Sequence, residues 1–218
     1  MTGLRIFIAD DHELVRRGLR TLLKGHENWQ VVGEAADGKE AVEQVTLLKP
    51  DIVILDVSMP RLNGLEATRR ISKLFHRLPV LILTMHESDE LIREVLAAGA
   101  RGYVTKSGAM EEVIRAVEAL WKRKTYFTSN AEEVMLHSFL SGPAEPGEAE
   151  ISRGRLTSRQ QEILQLLAEG KTSKEVALEL HLSIKTVETH RTNIMNRLNC
   201  HSVIDLVRYA IRNNIIEA

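Results

Sequence analysis

No apolar run in the 218 residues approaches the roughly 20 needed to cross a bilayer. The opening residues, MTGLRIFIADD, enter a strand pattern at once and lack the charged and apolar regions of a signal peptide. A cytoplasmic chain without a membrane partner is expected. The single cysteine, Cys200, excludes an internal disulfide framework and suits a reducing compartment. It reads as a small packing residue rather than a nucleophile. Neither an internal repeat nor a low-complexity tract is present. A formal net charge of −1 also leaves no strong charge of one sign over the whole chain. What remains is ordinary globular composition, 44% hydrophobic and 27% charged, enough to bury one large core or two small ones.

The near-neutral total conceals an asymmetry. Residues 151–218 hold ten Lys and Arg against seven Asp and Glu, a net +3, and the rest hold 19 against 23, a net −4. A basic C-terminal part beside an acidic N-terminal part points toward a polyanion partner for the former. On its own, +3 over 68 residues is common.

The patterning divides the chain at the same place. LRIFIAD, VVGEA, DIVILD, PVLILT and GYVTK read as strands apolar enough to be covered on both faces. Helical patterns lie between and after them, over about 14–23, 38–48, 64–75, 87–98 and 110–122. Alternation of this kind predicts a five-stranded parallel sheet, doubly wound with helices on both faces. Ser129 and Glu132 have the spacing of a capping box for a short helix. SGPAEPGEAEISRGR then has the Pro, Gly and Glu content of a linker. The C-terminal part has no strand-like run and predicts four helices, near 157–169, 172–180, 184–198 and 202–214. The expected division is an α/β domain over 1–124, a linker with a short helix over 125–153, and an all-α domain over 154–218.

Four of the apolar runs end on polar residues: Asp10 and Asp11, Asp56, Thr84 and Lys106. In a parallel α/β sheet these ends share the edge where ligands bind. Three carboxylates in one cleft repel one another and favour a hard divalent cation, Mg²⁺. With a lysine and a hydroxyl beside them, the set suits a phosphoryl group attacked by a carboxylate. Any one such Asp is as well explained by helix capping or loop solvation; the complete set is not. A phosphatase with an Asp nucleophile would want a general acid two residues on, and Ser58 stands there.

This constellation resembles the receiver domain of two-component response regulators over about residues 4–122. The resemblance rests on Asp10–Asp11, LDVSMPRLNG at 55–64, Thr84, Tyr103 and Lys106. It implies that Asp56 accepts phosphate from a sensor histidine kinase, and that Asp10, Asp11, Asp56 and the carbonyl of Ser58 hold Mg²⁺. It further implies that Lys106 binds the phosphoryl group while Thr84 and Tyr103 form the switch. From its own pattern Tyr103 reads equally as a half-buried strand aromatic. Ser58 and His86 fall where receivers vary and tune phosphoryl lifetime. No enzymatic turnover is implied beyond phosphorylation and autodephosphorylation at Asp56.

In the C-terminal part, Thr157 with Gln160 and Thr172 with Glu175 are spaced as capping boxes, Gly170 is placed for a left-handed cap, and Ser183 for an N-cap. Two helices joined across HLS predict a helix-turn-helix. On the second helix Val187, Ile194 and Leu198 share the packing side. Lys185, Glu188, Thr189, Thr192 and Asn196 lie opposite, with Thr186 and Arg191 beside them, and Arg191 is better placed for a phosphate than a base. A solvated exterior explains that face equally well on composition. LTSRQQEILQLLAEGKTSKEVALELHLSIKTVETHRTNIMNRLN, 156–199, is however similar to the DNA-binding domain of LuxR/NarL regulators. The resemblance implies double-stranded DNA with inverted half-sites, RNA polymerase, and a homodimer formed on phosphorylation. Val203, Leu206, Val207, Ala210 and Ile211 serve either that dimer or the domain core. The expected function is a phosphorylation-controlled transcription regulator. A protein-docking module and a constitutive DNA binder are the alternatives.

Overall fold

The computed structural model describes residues 3–85, 88–106, 110–128, 131–132, 156–213 and 215–216. The chain divides into two compact units, Met1–His137 and Ser138–Ala218. His86, Ser129 and most of the expected linker helix lie outside the described residues, as does the linker itself.

In the first unit, β1 (Leu4–Ala9), β2 (Trp29–Ala35), β3 (Ile52–Asp56), β4 (Val80–Thr84) and β5 (Gly102–Thr105) form one parallel sheet in the order β2-β1-β3-β4-β5. Successive strand side chains point to opposite faces, so each strand feeds two cores. Phe7, Val53, Leu55 and Ile82 face one core, and Ile6, Ile8, Ile54 and Leu81 face the other. The first core is covered by α2 (Gly38–Leu48), α3 (Gly64–Leu74) and α4 (Asp89–Ala98), the second by α1 (Glu13–Lys24) and α5 (Met110–Trp121). Local caps fix where these helices begin: Asp37 accepts from the Lys39 and Glu40 amides, Asn63 from Glu66 and Ser88 from Leu91. Strand order reverses between β1 and β3, which places a crevice at their C-terminal ends.

The first unit runs past residue 124, where a linker is expected. The Tyr103 amide donates to Tyr126 O at 2.8 Å, the Tyr126 amide to Arg101 O at 3.1 Å, and Ala131 is fully buried in the first core. Tyr126 therefore belongs to the sheet edge and Ala131 to its packing. Backbone pairing, blind to side-chain pattern, does this.

The second unit holds α6 (Ser158–Ala168), α7 (Ser173–Glu179), α8 (Ile184–Arg197) and α9 (Val203–Arg212). Both capping boxes form, Ser183 caps α8 through the Thr186 amide, and Gly170 takes φ +90°. One core, built on Ile163, Leu166, Val176, Val187, Ile194 and Leu206, joins the four helices.

Candidate functional site

The acidic residues converge at the crevice. Asp10 follows β1 and Asp56 ends β3, and they are 1% and 2% exposed. Lys106, just after β5, enters between them: its Nζ lies 2.7 Å from Asp10 Oδ2 and 3.0 Å from Asp56 Oδ1. The Lys106 amide donates to Thr84 O at 2.7 Å, which ties the lysine to the end of β4. Thr84 is buried there. Asp11 is partly exposed and meets His12 Nδ1 at 2.8 Å. His12 also returns its amide to Asp10 Oδ1 at 2.9 Å. Ligand atoms of Asp10, Asp11, His12 and Asp56 all lie within 4.8 Å of one another. Sequence reasoning missed His12; its only signal is a potential donor beside an acidic pair.

The Asp56 loop is clamped from both sides. The Val57 amide donates to Leu83 O at 3.1 Å, the Gly64 amide to Val57 O at 2.8 Å, and the Gly38 amide to Leu62 O at 3.0 Å. Arg61 pairs with the buried carboxylate of Asp37. Ser58 and Asn63 are buried within this loop. Tyr103 is fully enclosed in the first core rather than half-buried, with β5 turning its ring inward.

Burial dominates the electrostatics. The Asp56 carboxyl is raised from 3.8 to about 7: burial pushes it up most, Lys106 pulls it down, and the charges of Asp10 and Asp11 push it up. Burial pulls the Lys106 ammonium down, but Asp56 and Asp10 outweigh it and hold its pKa above the ordinary value. Asp56 Oδ2 is buried without a hydrogen-bond partner. Asp10 Oδ2 meets Lys106 at ion-pair distance but lacks hydrogen-bond alignment. A hard cation fits this donor set, since it would give Asp56 Oδ2 a partner and offset the surplus of carboxylates.

A pH dependence follows. Between 3.8 and about 7, folded Asp56 holds a proton that an unfolded Asp has released, so the metal-free chain loses stability as pH rises through that window. A divalent cation competes with the same proton. Mg²⁺ should therefore raise the thermal midpoint more at about pH 8 than at about pH 5. Equal shifts at both pH values would detach this effect from Asp56.

In the second unit, α8 buries Val187 and Ile194 and exposes Lys185, Glu188, Thr189, Thr192 and Asn196, the face expected from its spacing. Asn193 is also exposed, and Arg191 is half-buried at the flank. Thr186 belongs to the cap, its hydroxyl 2.7 Å from that of Ser183. The Thr189 and Thr192 hydroxyls donate to Lys185 O and Glu188 O one turn back. On α9, Leu206 and Ala210 are fully buried and serve the domain core, the dimer role being left to the exposed positions. Val203 and Ile211 are exposed, and Ile204, not singled out from the sequence, is 64% exposed between them in the chain.

Residues 6–118 match the family model of the response regulator receiver domain, and residues 154–210 that of bacterial regulatory proteins, luxR family. The chain belongs to the LuxR-family response regulators. Its relatives include the oxygen regulatory protein NreC of Staphylococcus epidermidis, 39% identical over 98% of this chain and 100% of that protein. RcsB of Salmonella enterica serovar Typhimurium, bound to a promoter in the presence of phosphomimetic BeF3⁻, is 28% identical with a TM-score of 0.64, covering 95% of this chain and 98% of that one. RcsB in a structure of two dimers on two parallel DNAs is also 28% identical, with a TM-score of 0.57 over 97% and 98%. This response regulator thus joins a receiver to a LuxR-type DNA-binding domain, and it is a phosphorylation-controlled transcription regulator. No helix among the described residues is long and apolar enough to cross a membrane.

Proposed function

We propose that Asp56 is the phosphoacceptor, receiving its phosphoryl group from a sensor histidine kinase, and that its modification promotes dimerisation and promoter binding. The observation carrying this reading is the buried Asp56 carboxylate, held at a strand end beside Asp10 and Lys106 with one oxygen unpartnered. A carboxylate oxygen of Asp56 attacks phosphorus; an O–P bond forms to Asp56 as the N–P bond to the donor histidine breaks. Lys106 offsets the charge on the transferred group, and the Thr84 hydroxyl turns toward it. Asp10, Asp11, Asp56 and the Ser58 carbonyl would hold Mg²⁺, which shields phosphoryl charge when bound. His12 stands within reach of the same ion. Return to the resting state is autodephosphorylation at Asp56, the one reaction assigned to the chain itself.

Phosphate at Asp56 biases the receiver between two populations through Thr84 and Tyr103. The partners of the activated form are a second copy of the chain, double-stranded DNA with inverted half-sites, and RNA polymerase, all in the cytoplasm. Lys185, Glu188, Thr189, Thr192 and Asn196 face the DNA, Thr186 orients the start of their helix, and Arg191 reaches a phosphate. The exposed Val203 and Ile211, with half-buried Val207, are the remaining dimer contacts on α9.

Light scattering coupled to size exclusion, with and without Mg²⁺ and beryllofluoride, followed by DNA titration of both samples, tests the switch. A monomer that becomes a dimer and binds DNA more tightly is expected. No change in either quantity would leave a constitutive DNA binder. For the helix face, Lys185→Ala and Arg191→Ala should each weaken DNA binding about tenfold at fixed salt, with Arg191→Ala lowering the salt slope by about one. Unchanged affinity in both would place the DNA on another surface.

A further inference from the structure

The receiver has a second concavity, at the sheet edge opposite the acidic crevice. An open basin of roughly 650 Å³ lies among the loops that enter β3, β4 and β5 and the end of α5. Five residues of β3 at about 3.3 Å each separate the two edges, so nothing bound in the basin touches Asp56. Lys49, Arg77, Arg101, Arg123 and Lys124 line it. None of these five forms an ion pair with a described carboxylate. Elsewhere in the same unit Arg17, Arg20, Arg61, Arg69 and Arg70 all do. Among the described residues lining the basin the one carboxylate, Asp51, accepts the Arg5 amide at 2.9 Å and forms no ion pair with any of the five. A cluster of cations with no carboxylate partner among the described residues therefore stands on the acidic part of the chain, where residues 1–150 carry a net −4.

Apolar surface lies within the same wall. Phe75 and Leu78 are half-buried there, and the Trp121 indole is half-exposed at the edge. The chain's other indole, Trp29, is stacked on His26 with centroids 4.4 Å apart. Guanidinium groups bind phosphate oxygens in pairs, while an exposed indole offers a face to a planar base. The volume lies within the range of small-molecule sites. A carboxylate peptide would satisfy the cations and leave the indole unmatched; a duplex is too broad to enter the basin.

We propose that this basin binds a nucleoside polyphosphate, its phosphates on the cationic rim and its base against Trp121. The assignment is independent of phosphorylation at Asp56. The test is calorimetric titration of the full chain with ATP and with GTP in EDTA, which keeps metal–nucleotide complexes off the acidic crevice. Inorganic tripolyphosphate and adenosine are the controls. One equivalent of ATP or GTP should bind at least about tenfold more tightly than tripolyphosphate. Arg77→Glu combined with Lys124→Glu should weaken that binding at least thirtyfold (roughly, at two lost charge-assisted contacts). Lys185→Glu, in the other unit, should leave it within about twofold. Nucleotide should also quench tryptophan emission in the native chain and not in Trp121→Phe, a readout that stands even if the double variant does not fold. Nucleotides binding no more tightly than tripolyphosphate would overturn the proposal. So would full affinity in the double variant, or undiminished quenching without Trp121.

Discussion

Replacing Asp56 by Asn should abolish phosphoryl labelling by acetyl phosphate, and with it any gain in dimerisation or DNA affinity from a phosphodonor. The amide keeps the size and shape of the carboxyl but has no nucleophilic oxygen. Asp10 and Asp11 remain, yet neither takes over. Asp10 is engaged by Lys106 and the His12 amide, and Asp11 lies at the partly exposed mouth with His12. Loss of labelling will not reflect loss of fold. The Asp56 carboxyl is already raised to about 7, most of all by burial, so the ionised form is the unfavourable one in the metal-free chain. Removing that charge should leave the metal-free thermal midpoint at about pH 8 equal to or above the native value. A variant that still takes label would refute the assignment of Asp56. A variant that unfolds at room temperature would instead show that the Lys106 contact outweighs the burial cost.

The parts of this molecule that depend on local chemistry could be read from the sequence. Both capping boxes of the second unit form because each needs only a Thr and a Gln or Glu three residues apart, and every helix there ends within two residues of its expected limit. The convergence of Asp10, Asp56, Thr84 and Lys106 was legible for another reason. Parallel pairing forces the ends of separate apolar runs onto one edge, whatever the loops between them do. Features made by the backbone were not legible. Tyr126 follows a Lys-Thr pair that reads as loop, yet its amide and carbonyl continue the sheet beside β5. His12 reaches the site because the turn after β1 folds back on Asp10, which no side-chain period encodes. On α9 the pattern gives an apolar stripe but not which residues the core consumes; Leu206 and Ala210 go inward, while Ile204 is left outside. The basin of cations at the far sheet edge was equally invisible. Lys49, Arg77, Arg101 and Lys124 come from four separate segments, and each alone is an ordinary surface charge.

Gly64→Ala should be among the most damaging single-methyl changes in the receiver. Gly64 opens α3 directly behind the phosphoacceptor, with its amide donating to Val57 O. A Cβ there would sit 1.8 Å from the carbonyl oxygen of Asp56 and 2.8 Å from its carbonyl carbon. Both are backbone atoms of β3, so no rotamer change relieves the overlap; either the start of α3 or the end of the strand must move. Asp56 O belongs to a strand paired on both sides, with Ala9 opposite Leu55 and Leu83 opposite Asp56. The helix start is held as firmly by Asn63, which accepts from the Glu66 amide at 2.9 Å. A displacement between two clamped elements costs about 3 kcal/mol or more, on the order of a 10 °C fall in the receiver's thermal midpoint. Gly170→Ala is the informative comparison. Gly170 has φ +90° and nothing within 4 Å of an added Cβ, so its substitution should cost only the backbone strain, about 1 kcal/mol. Calorimetry on the two variants thus separates steric contact from conformational strain. If Gly64→Ala melts no earlier than Gly170→Ala, the loop behind Asp56 yields more readily than its hydrogen bonds imply, and the Ser58 carbonyl is not held rigidly enough to serve as a fixed metal ligand.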